Sequence, residues 1–245
     1  MRTRVKFCGL VRPEDVDAAV AIGVDAVGFV FYPRSARYLS FEAAAGLRRR
    51  LPSWVRAVGL FVNAERAWLM QGVREAGLDV VQAHGDELAT ELADLPVPCW
   101  KALRIGGPRP TEDGHARHEH LAQGRVPADP GLVRQALAGF DPVVEACLVD
   151  SASQGFGGSG HAFDWSVLPR PAPLPIVLAG GLTAGTVGQA IADVRPVAVD
   201  VSSGIQADDA RRKDVIKMEG FMAAVLEADA RHARTRAADI ERGRG

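Results

Sequence analysis

The sequence has no surplus of positive charge. Its 245 residues include 29 basic and 30 acidic side chains, which give a formal net charge of -1. Nucleic acids and anionic membrane surfaces attract proteins that carry an excess of lysine and arginine. We therefore expect no nucleic-acid partner and no membrane partner, and a small molecule becomes the expected ligand.

Long hydrophobic runs and paired cysteines are also missing. No apolar run approaches the roughly 20 residues that a membrane-spanning helix needs, and residues 1–4 lead into a predicted strand rather than a signal-peptide core. The three cysteines, Cys8, Cys99 and Cys147, show no spacing typical of a disulfide or a metal site. These absences predict a cytoplasmic protein with reduced thiols.

No G-x-G-x-x-G motif follows the first apolar run, and this disfavours a doubly wound nucleotide-binding sheet. Eight short apolar runs instead alternate with helical segments, the count expected of a single (β/α)8 barrel. We predict that residues 1–230 form this barrel. The predicted strands are 5–10, 26–31, 57–62, 80–84, 100–105, 146–150, 176–179 and 197–201.

Two stretches depart from the alternation. Residues 106–130 lack apolar periodicity and are predicted to form an inserted loop after the fifth strand, while residues 231–245 are charged and are predicted to form a flexible tail. The insertion contains His115, His118 and His120, whose spacing could hold zinc. Histidines in a polar loop are more often solvated, so we predict no metal and full activity after chelation.

Small residues end the last two predicted strands. Gly180 and Gly181 follow the run 176–179, and Ser202, Ser203 and Gly204 follow the run 197–201. Strands this apolar should be parallel and buried on both faces. Two adjacent strand ends of this kind, each leading into a helix, favour a phosphate site, although tight turns alone would also require the glycines.

Polar side chains mark the ends of other strands. Period-two alternation places Cys8 on the same face as Lys6 and opposite Phe7, and Asp150 opposite Val149. Both polar groups should therefore face the barrel mouth. Cys8 alone could be a small buried hydrophobic residue, whereas a carboxylate that ends an apolar strand needs a partner or a function.

A thiol and a carboxylic acid beside a phosphate site suit proton transfer on a sugar phosphate. The strands contain further charges, Lys6, Lys101 and Asp200, for which internal ion pairing is the better interpretation. We expect Lys6 to pair with Asp200 and so join the first and last strands.

Eight segments, in their order along the chain, resemble the phosphoribosylanthranilate isomerase family of tryptophan biosynthesis. They are K-F-C-G-L at 6–10, G-F-V-F-Y-P-R-S-A-R-Y at 28–38, V-G-L-F-V-N at 58–63, V-Q-A-H-G-D-E at 81–87, L-V-D at 148–150, G-G-S-G at 157–160 with F-D-W at 163–165, A-G-G-L at 179–182 and V-D-V-S-S-G at 199–204.

The resemblance implies an Amadori rearrangement of N-(5-phosphoribosyl)anthranilate without a metal or redox cofactor. It implies that Asp150 is the general acid and Cys8 the general base, and that Arg37 binds the anthranilate carboxylate. His84 is expected to contact substrate. The residues that match the phosphate loops are Gly158, Gly160, Gly180, Gly181, Ser203 and Gly204. The family usually has a larger apolar residue at Ala83, and its members usually have a shorter segment at 106–130.

Two alternatives stay open at this point. A sibling isomerase of histidine biosynthesis acts on an aminoimidazole carboxamide and would be expected to use two aspartates rather than Cys8 and Asp150. A non-catalytic barrel that binds a ligand or a metal through its insertion is the other. The sequence leaves undecided whether the protein is a monomer or a homodimer and whether it accepts a second substrate.

Overall fold

The computed structural model describes residues 2–107, 124–151 and 163–242. The strands are β1 Arg4–Cys8, β2 Ala26–Val30, β3 Arg56–Phe61, β4 Val80–Ala83, β5 Cys99–Gly107, β6 Arg125–Pro127, β7 Ala146–Ser151, β8 Ile176–Leu178 and β9 Ala198–Val201. The helices are α1 Pro13–Ile22, α2 Phe41–Arg48, α3 Arg66–Ala76, α4 Ala89–Leu92, α5 Pro130–Ala138, α6 Ala184–Val194 and α7 Val215–Arg242. Trp165–Val167 and Ser203–Ile205 form short 3-10 helices.

Eight of the strands close into the predicted barrel. Their order is β4-β3-β2-β1-β9-β8-β7-β5, and β4 also pairs with β5. Every one of these pairings is parallel. Because parallel neighbours end on the same side, the carboxyl ends of all eight strands meet at one mouth.

Two apolar layers follow from the alternation of side chains along each strand. Phe7 and Val149 belong to the large cluster between the strands and the helices, whereas Leu148 belongs to the small cluster that fills the barrel. Cys8 and Asp150 therefore share the inward-facing parity, as the sequence predicted. Small inward residues such as Ala26, Ala146 and Ala198 fill the opposite end of the barrel.

Glycine, serine and threonine residues lie at several helix ends. Gly23 and Gly77 end α1 and α3 with φ values of 90° and 65°, a conformation that glycine adopts at little cost. The Ser40 hydroxyl accepts a hydrogen bond from the Ala43 N–H at the start of α2. Thr183 is the residue that precedes the first turn of α6.

The prediction that 106–130 is a loop throughout is wrong at both ends. The strand β5 continues to Gly107, and β6 pairs with its far end in parallel register, Arg104 opposite Arg125. β7 occupies one edge of β5 over residues 100–105, so β6 must take the other edge, beyond the end of β4. Only three residues form β6, too few to show a hydrophobic period.

The helix α7 continues to Arg242, so residues 231–242 have helical form, and the flexibility of the tail from residue 231 stays a prediction. Polar contacts stabilise this extension. Arg231 pairs with Glu227 one turn earlier at 3.0 Å, and His232 contacts the Arg195 guanidinium. A search for apolar periodicity misses such a helix. Within the described ranges, no helix combines the length and hydrophobicity that crossing a bilayer requires.

Candidate active site

A pocket lies at the mouth of the barrel, and several predicted residues line it. They come from the ends of five strands and from the loop after β2: Cys8, Arg37, His84, Asp150, Gly180, Gly181 and Ser203. Gly204 is next to this group. Gly158 and Gly160 lie outside the described residues.

Cys8 ends β1 and is buried. Lys6, two residues earlier, forms the predicted ion pair with Asp200 at 2.9 Å, and its charge is also attracted by Cys8. A Cβ atom at Gly28 would lie 2.8 Å from Cys8 Sγ and 3.1 Å from Lys6 Cε, so glycine on β2 makes room for both side chains.

The charge of Lys6 is stabilised despite its burial. Burial alone would lower its pKa, but the attraction of Asp200, the attraction of Cys8 and the hydrogen bond to Asp200 raise the pKa above the ordinary value. A cation beside a sulfur atom favours the thiolate over the thiol, and the thiolate is the form that accepts a proton.

Asp150 lies across the mouth, because β7 is three strands away from β1 around the barrel. Its carboxylate Oδ2 is 3.8 Å from His84 Nε2, and both side chains are buried. Gln82 Nε2 lies 2.8 Å from His84 Nδ1. Within the described part of the chain, His84 Nε2 has no hydrogen-bond partner, so this polar atom is available to a ligand in the pocket.

His84 is neutral at physiological pH. Burial lowers its pKa to about 3, and three nearby cations contribute further: Lys101, Lys6 and Arg104. Lys101 is itself paired with Glu87 at 2.8 Å, as expected for a charge inside a strand. A neutral imidazole can donate or accept one hydrogen bond at Nε2 without adding charge to the pocket.

The turns after β8 and β9 form another wall of the pocket. Gly180 and Gly181 have φ values of 86° and 65°, which side-chain-bearing residues rarely adopt. A Cβ atom at Gly204 would lie 2.0 Å from the Leu182 carbonyl oxygen, so the two turns can meet only because this residue is glycine. The predicted phosphate residues after β8 and β9 are thus brought together.

Arg37 reaches the pocket from the loop after β2. Its side chain crosses Gly9, where a Cβ atom would lie 2.6 Å from Arg37 Cδ, and its Nη1 donates to Ser202 Oγ at 2.6 Å. The cation therefore lies at the β1–β9 side of the mouth, near Cys8 and the turn after β9.

A sequence profile described as N-(5'phosphoribosyl)anthranilate (PRA) isomerase matches residues 5–224. The chain belongs to this family. The N-(5'-phosphoribosyl)anthranilate isomerase of Dechloromonas aromatica is 43% identical over 229 residues, which cover 94% of this chain and 99% of that protein. The enzyme of the same name from Pseudomonas putida is 42% identical, covering 92% of this chain and 98% of its own.

Solved structures of phosphoribosylanthranilate isomerases have the same fold. Monomers generated from the dimeric Thermotoga maritima enzyme align with a TM-score of 0.73 and 31% identity over 92% of this chain and 99% of that one. A second isomerase structure, in complex with reduced 1-(o-carboxyphenylamino)-1-deoxyribulose 5-phosphate, aligns with a TM-score of 0.67 and 30% identity over 92% of this chain and 99% of its own.

One buried side chain near the pocket, that of Arg104, was not predicted from the sequence to belong to the site. Arg104 on β5 is in register with Asp150 on β7, so the two side chains leave neighbouring strands on the same face. The Arg104 side chain is buried and hydrogen-bonds Asp86. An arginine in the run 100–105 was the available signal, because a charge within a strand needs a partner.

The described residues contain no group of three or more histidine, cysteine or acidic side chains suited to a metal ion. His115, His118 and His120 lie outside those residues. The prediction that activity survives chelation therefore stays a prediction.

Proposed function

We propose that this chain catalyses the rearrangement of N-(5-phosphoribosyl)anthranilate to 1-(2-carboxyphenylamino)-1-deoxyribulose 5-phosphate, with Asp150 as general acid and Cys8 as general base. One observation carries the proposal. The buried thiol of Cys8 and the buried carboxyl group of Asp150 face one pocket from opposite sides. The glycine turns after β8 and β9 and the side chain of Arg37 line the same pocket.

The reaction needs one proton donor and one proton acceptor. Asp150 donates a proton to the ribose ring oxygen, the bond from C1 to that oxygen breaks, and the anilino nitrogen supplies the electron pair that forms an iminium ion. The positive nitrogen acidifies the C2 proton, which the Cys8 thiolate removes. The enolamine that results becomes the ketone, and each group can regain its starting protonation state by proton exchange.

The remaining residues bind the two anionic ends of the substrate. Gly180, Gly181, Ser203 and Gly204 offer backbone close to the phosphate, as expected for turns that precede helices. Gly158 and Gly160 stay predicted members of the phosphate site. Arg37 binds the anthranilate carboxylate, for which a planar guanidinium group is well suited.

His84 is proposed to contact the sugar. Its neutral imidazole lies beside Asp150, and Nε2 can hydrogen-bond a ribose oxygen at the point where the ring opens. A neutral donor or acceptor here avoids repelling the positive iminium nitrogen.

The test is turnover of freshly prepared phosphoribosylanthranilate in a coupled assay, alongside the aminoimidazole carboxamide substrate of the histidine pathway. Turnover of the first compound at a far higher kcat/KM is expected. Faster turnover of the imidazole compound would reject the assignment. The cytoplasmic location and a monomeric or homodimeric state stay predictions, which cell fractionation and analytical ultracentrifugation would test.

A further inference from the structure

The hydroxyl group of Ser202, after β9, connects the end of β1 with the loop after β2. Its Oγ donates to the backbone carbonyl of Cys8 at 3.0 Å and accepts from Arg37 Nη1 at 2.6 Å. The residues lie far apart along the chain, 194 positions for Cys8 and 165 for Arg37. Because the hydroxyl proton is used toward Cys8, a lone pair of the same oxygen faces the guanidinium group.

Lys213, which precedes α7, holds Ser202 from behind. Its Nζ donates to the Ser202 carbonyl at 3.0 Å and lies 3.5 Å from Ser202 Oγ. Its own N–H donates to the Asp15 carboxylate of α1 at 3.2 Å. The side chain is buried, so the ammonium group has a fixed position rather than a solvated one.

We propose that Ser202 and Lys213 are positioning residues that hold Arg37 in the orientation in which it binds the substrate carboxylate and fix that orientation relative to Cys8. The inference rests on the role proposed above for Arg37. It adds to that role the part of the structure that sets the position of the guanidinium group.

The physical reason is the flexibility of arginine. A free arginine side chain loses up to about 2 kcal/mol of rotamer entropy when a ligand immobilises it. If Ser202 already fixes the guanidinium group before substrate arrives, that cost falls on folding rather than on binding. Removing the hydroxyl should therefore weaken substrate binding only where Arg37 is present.

The Ser202 test is a double-mutant cycle with Arg37→Ala. Ser202→Ala is expected to raise KM for phosphoribosylanthranilate about 3- to 10-fold in the wild-type background, as the entropy cost of immobilising one flexible side chain on binding implies. In the Arg37→Ala background it should change KM less than 2-fold. Ser202→Thr keeps the hydroxyl and should recover most of the wild-type KM.

Three results separate the possible failures. Equal effects of Ser202→Ala in both backgrounds would sink the positioning role while leaving the isomerase activity intact. A matching loss of affinity for inorganic phosphate, measured as a competitive inhibitor, would instead place the action of Ser202 on the turn after β9 and would also overturn the proposal. Absence of turnover by the wild-type enzyme would reject the proposed function itself.

Lys213 offers a second readout, the pH dependence of KM. Charged and titratable groups face it from four elements, Cys8 on β1, Asp15 on α1, Arg37 after β2 and Asp200 on β9. Burial, with the repulsion of Arg37, lowers its pKa to about 8 despite the attraction of Cys8 and the two carboxylates. An anionic substrate favours the protonated form, so wild-type KM should rise as pH increases through about 8.

Lys213→Arg keeps the charge at all of these pH values and should flatten the rise in KM between pH 7.5 and 9.5. Lys213→Met should show a KM raised about 3- to 10-fold at pH 7.5 and little further change at pH 9.5. A Lys213→Arg enzyme with the same rise as wild type would show that another group titrates, and the role of Lys213 would be withdrawn. Equal thermal unfolding midpoints would confirm that the variants are folded.

Discussion

The two sides of the barrel mouth are built differently. The base side consists of Cys8, Arg37 and Ser202, and each of them hydrogen-bonds a neighbour within this group or its immediate support. The acid side consists of His84, Arg104 and Asp150, which are three buried polar side chains on neighbouring strands. There, His84 Nε2 has no hydrogen-bond partner among the described residues.

This difference has a functional meaning. A side whose groups already bond one another is arranged before substrate arrives, so it can bind and orient. The acid side holds the neutral imidazole of His84 beside the carboxyl group of Asp150. Since His84 Nε2 has no partner among the described residues, this side still has hydrogen-bonding capacity for the substrate. We expect the base side to determine where the substrate lies and the acid side to respond to its sugar ring.

The largest expected effects are those of Cys8→Ala and Asp150→Asn, one variant on each side. Each should lower kcat by about 10²–10⁴-fold, the range for a positioned acid or base, with a smaller effect on KM. A substrate deuterated at C2 distinguishes the two. The isotope effect on kcat should grow in Cys8→Ala, where proton removal limits turnover, and shrink in Asp150→Asn, where ring opening does.

Inorganic phosphate should inhibit both variants as strongly as it inhibits the wild-type enzyme, which serves as the control for an intact pocket. Near wild-type turnover in either variant, with chemistry still rate-limiting, would remove that residue from its role.

The next largest effect is on stability, and it is expected for both buried lysines that support the two sides, Lys6 and Lys101. Lys6→Met leaves the Asp200 carboxylate without its partner, and Lys101→Met does the same to Glu87. Each change should lower the free energy of unfolding by about 3–5 kcal/mol, measured by urea denaturation. Only Lys6→Met should also lower kcat, because the Lys6 charge lies beside Cys8 and attracts its thiolate.

The control is Lys101→Met with Glu87→Leu, which removes both charges and should recover part of the lost stability. If Lys6→Met and Lys101→Met lowered kcat equally, the proposed influence of Lys6 on the thiol would be wrong.

Much of the barrel mouth was predictable from the sequence, because short motifs encode it. Period-two alternation placed Cys8 and Asp150 on the inner face, and the glycine turns after β8 and β9 were visible as breaks in apolar runs. The contact of Arg37 with Ser202 was not predictable, since it joins two loops that come together only when the barrel closes. Arg104 was hidden because it lies inside a run that otherwise shows the pattern of a buried strand.

The third effect belongs to the base side. Arg37→Ala should lower kcat/KM for phosphoribosylanthranilate by about 10- to 100-fold, because a partly desolvated guanidinium–carboxylate contact is worth roughly 1.5–3 kcal/mol. Arg37→Lys should recover only part of this, since lysine cannot form the planar pair of hydrogen bonds. Unchanged kcat/KM in Arg37→Ala would show that the loop after β2 does not bind the carboxylate.

The smallest effect belongs to the acid side and concerns stability rather than turnover. The pKa of His84 is about 3 in the folded protein, against 6.5 for an unperturbed histidine. Between these values the unfolded chain binds a proton that the folded chain does not bind, so the free energy of unfolding must fall as pH decreases from about 6.5 toward 3. Above pH 6.5 both states are neutral at this residue, and it adds no pH dependence.

At pH 5 the difference of 1.5 pH units corresponds to about 2 kcal/mol. His84→Gln cannot take up this proton, so its loss of stability between pH 7 and pH 5 should be about 2 kcal/mol smaller than that of the wild-type protein in urea denaturation. His232→Gln removes a histidine at an exposed contact with Arg195, outside the pocket, and is the matched control for the substitution itself. Equal losses in the wild-type and His84→Gln proteins would mean that His84 is protonated in the folded protein, and the acid side would then hold a cation beside Asp150 rather than a neutral imidazole.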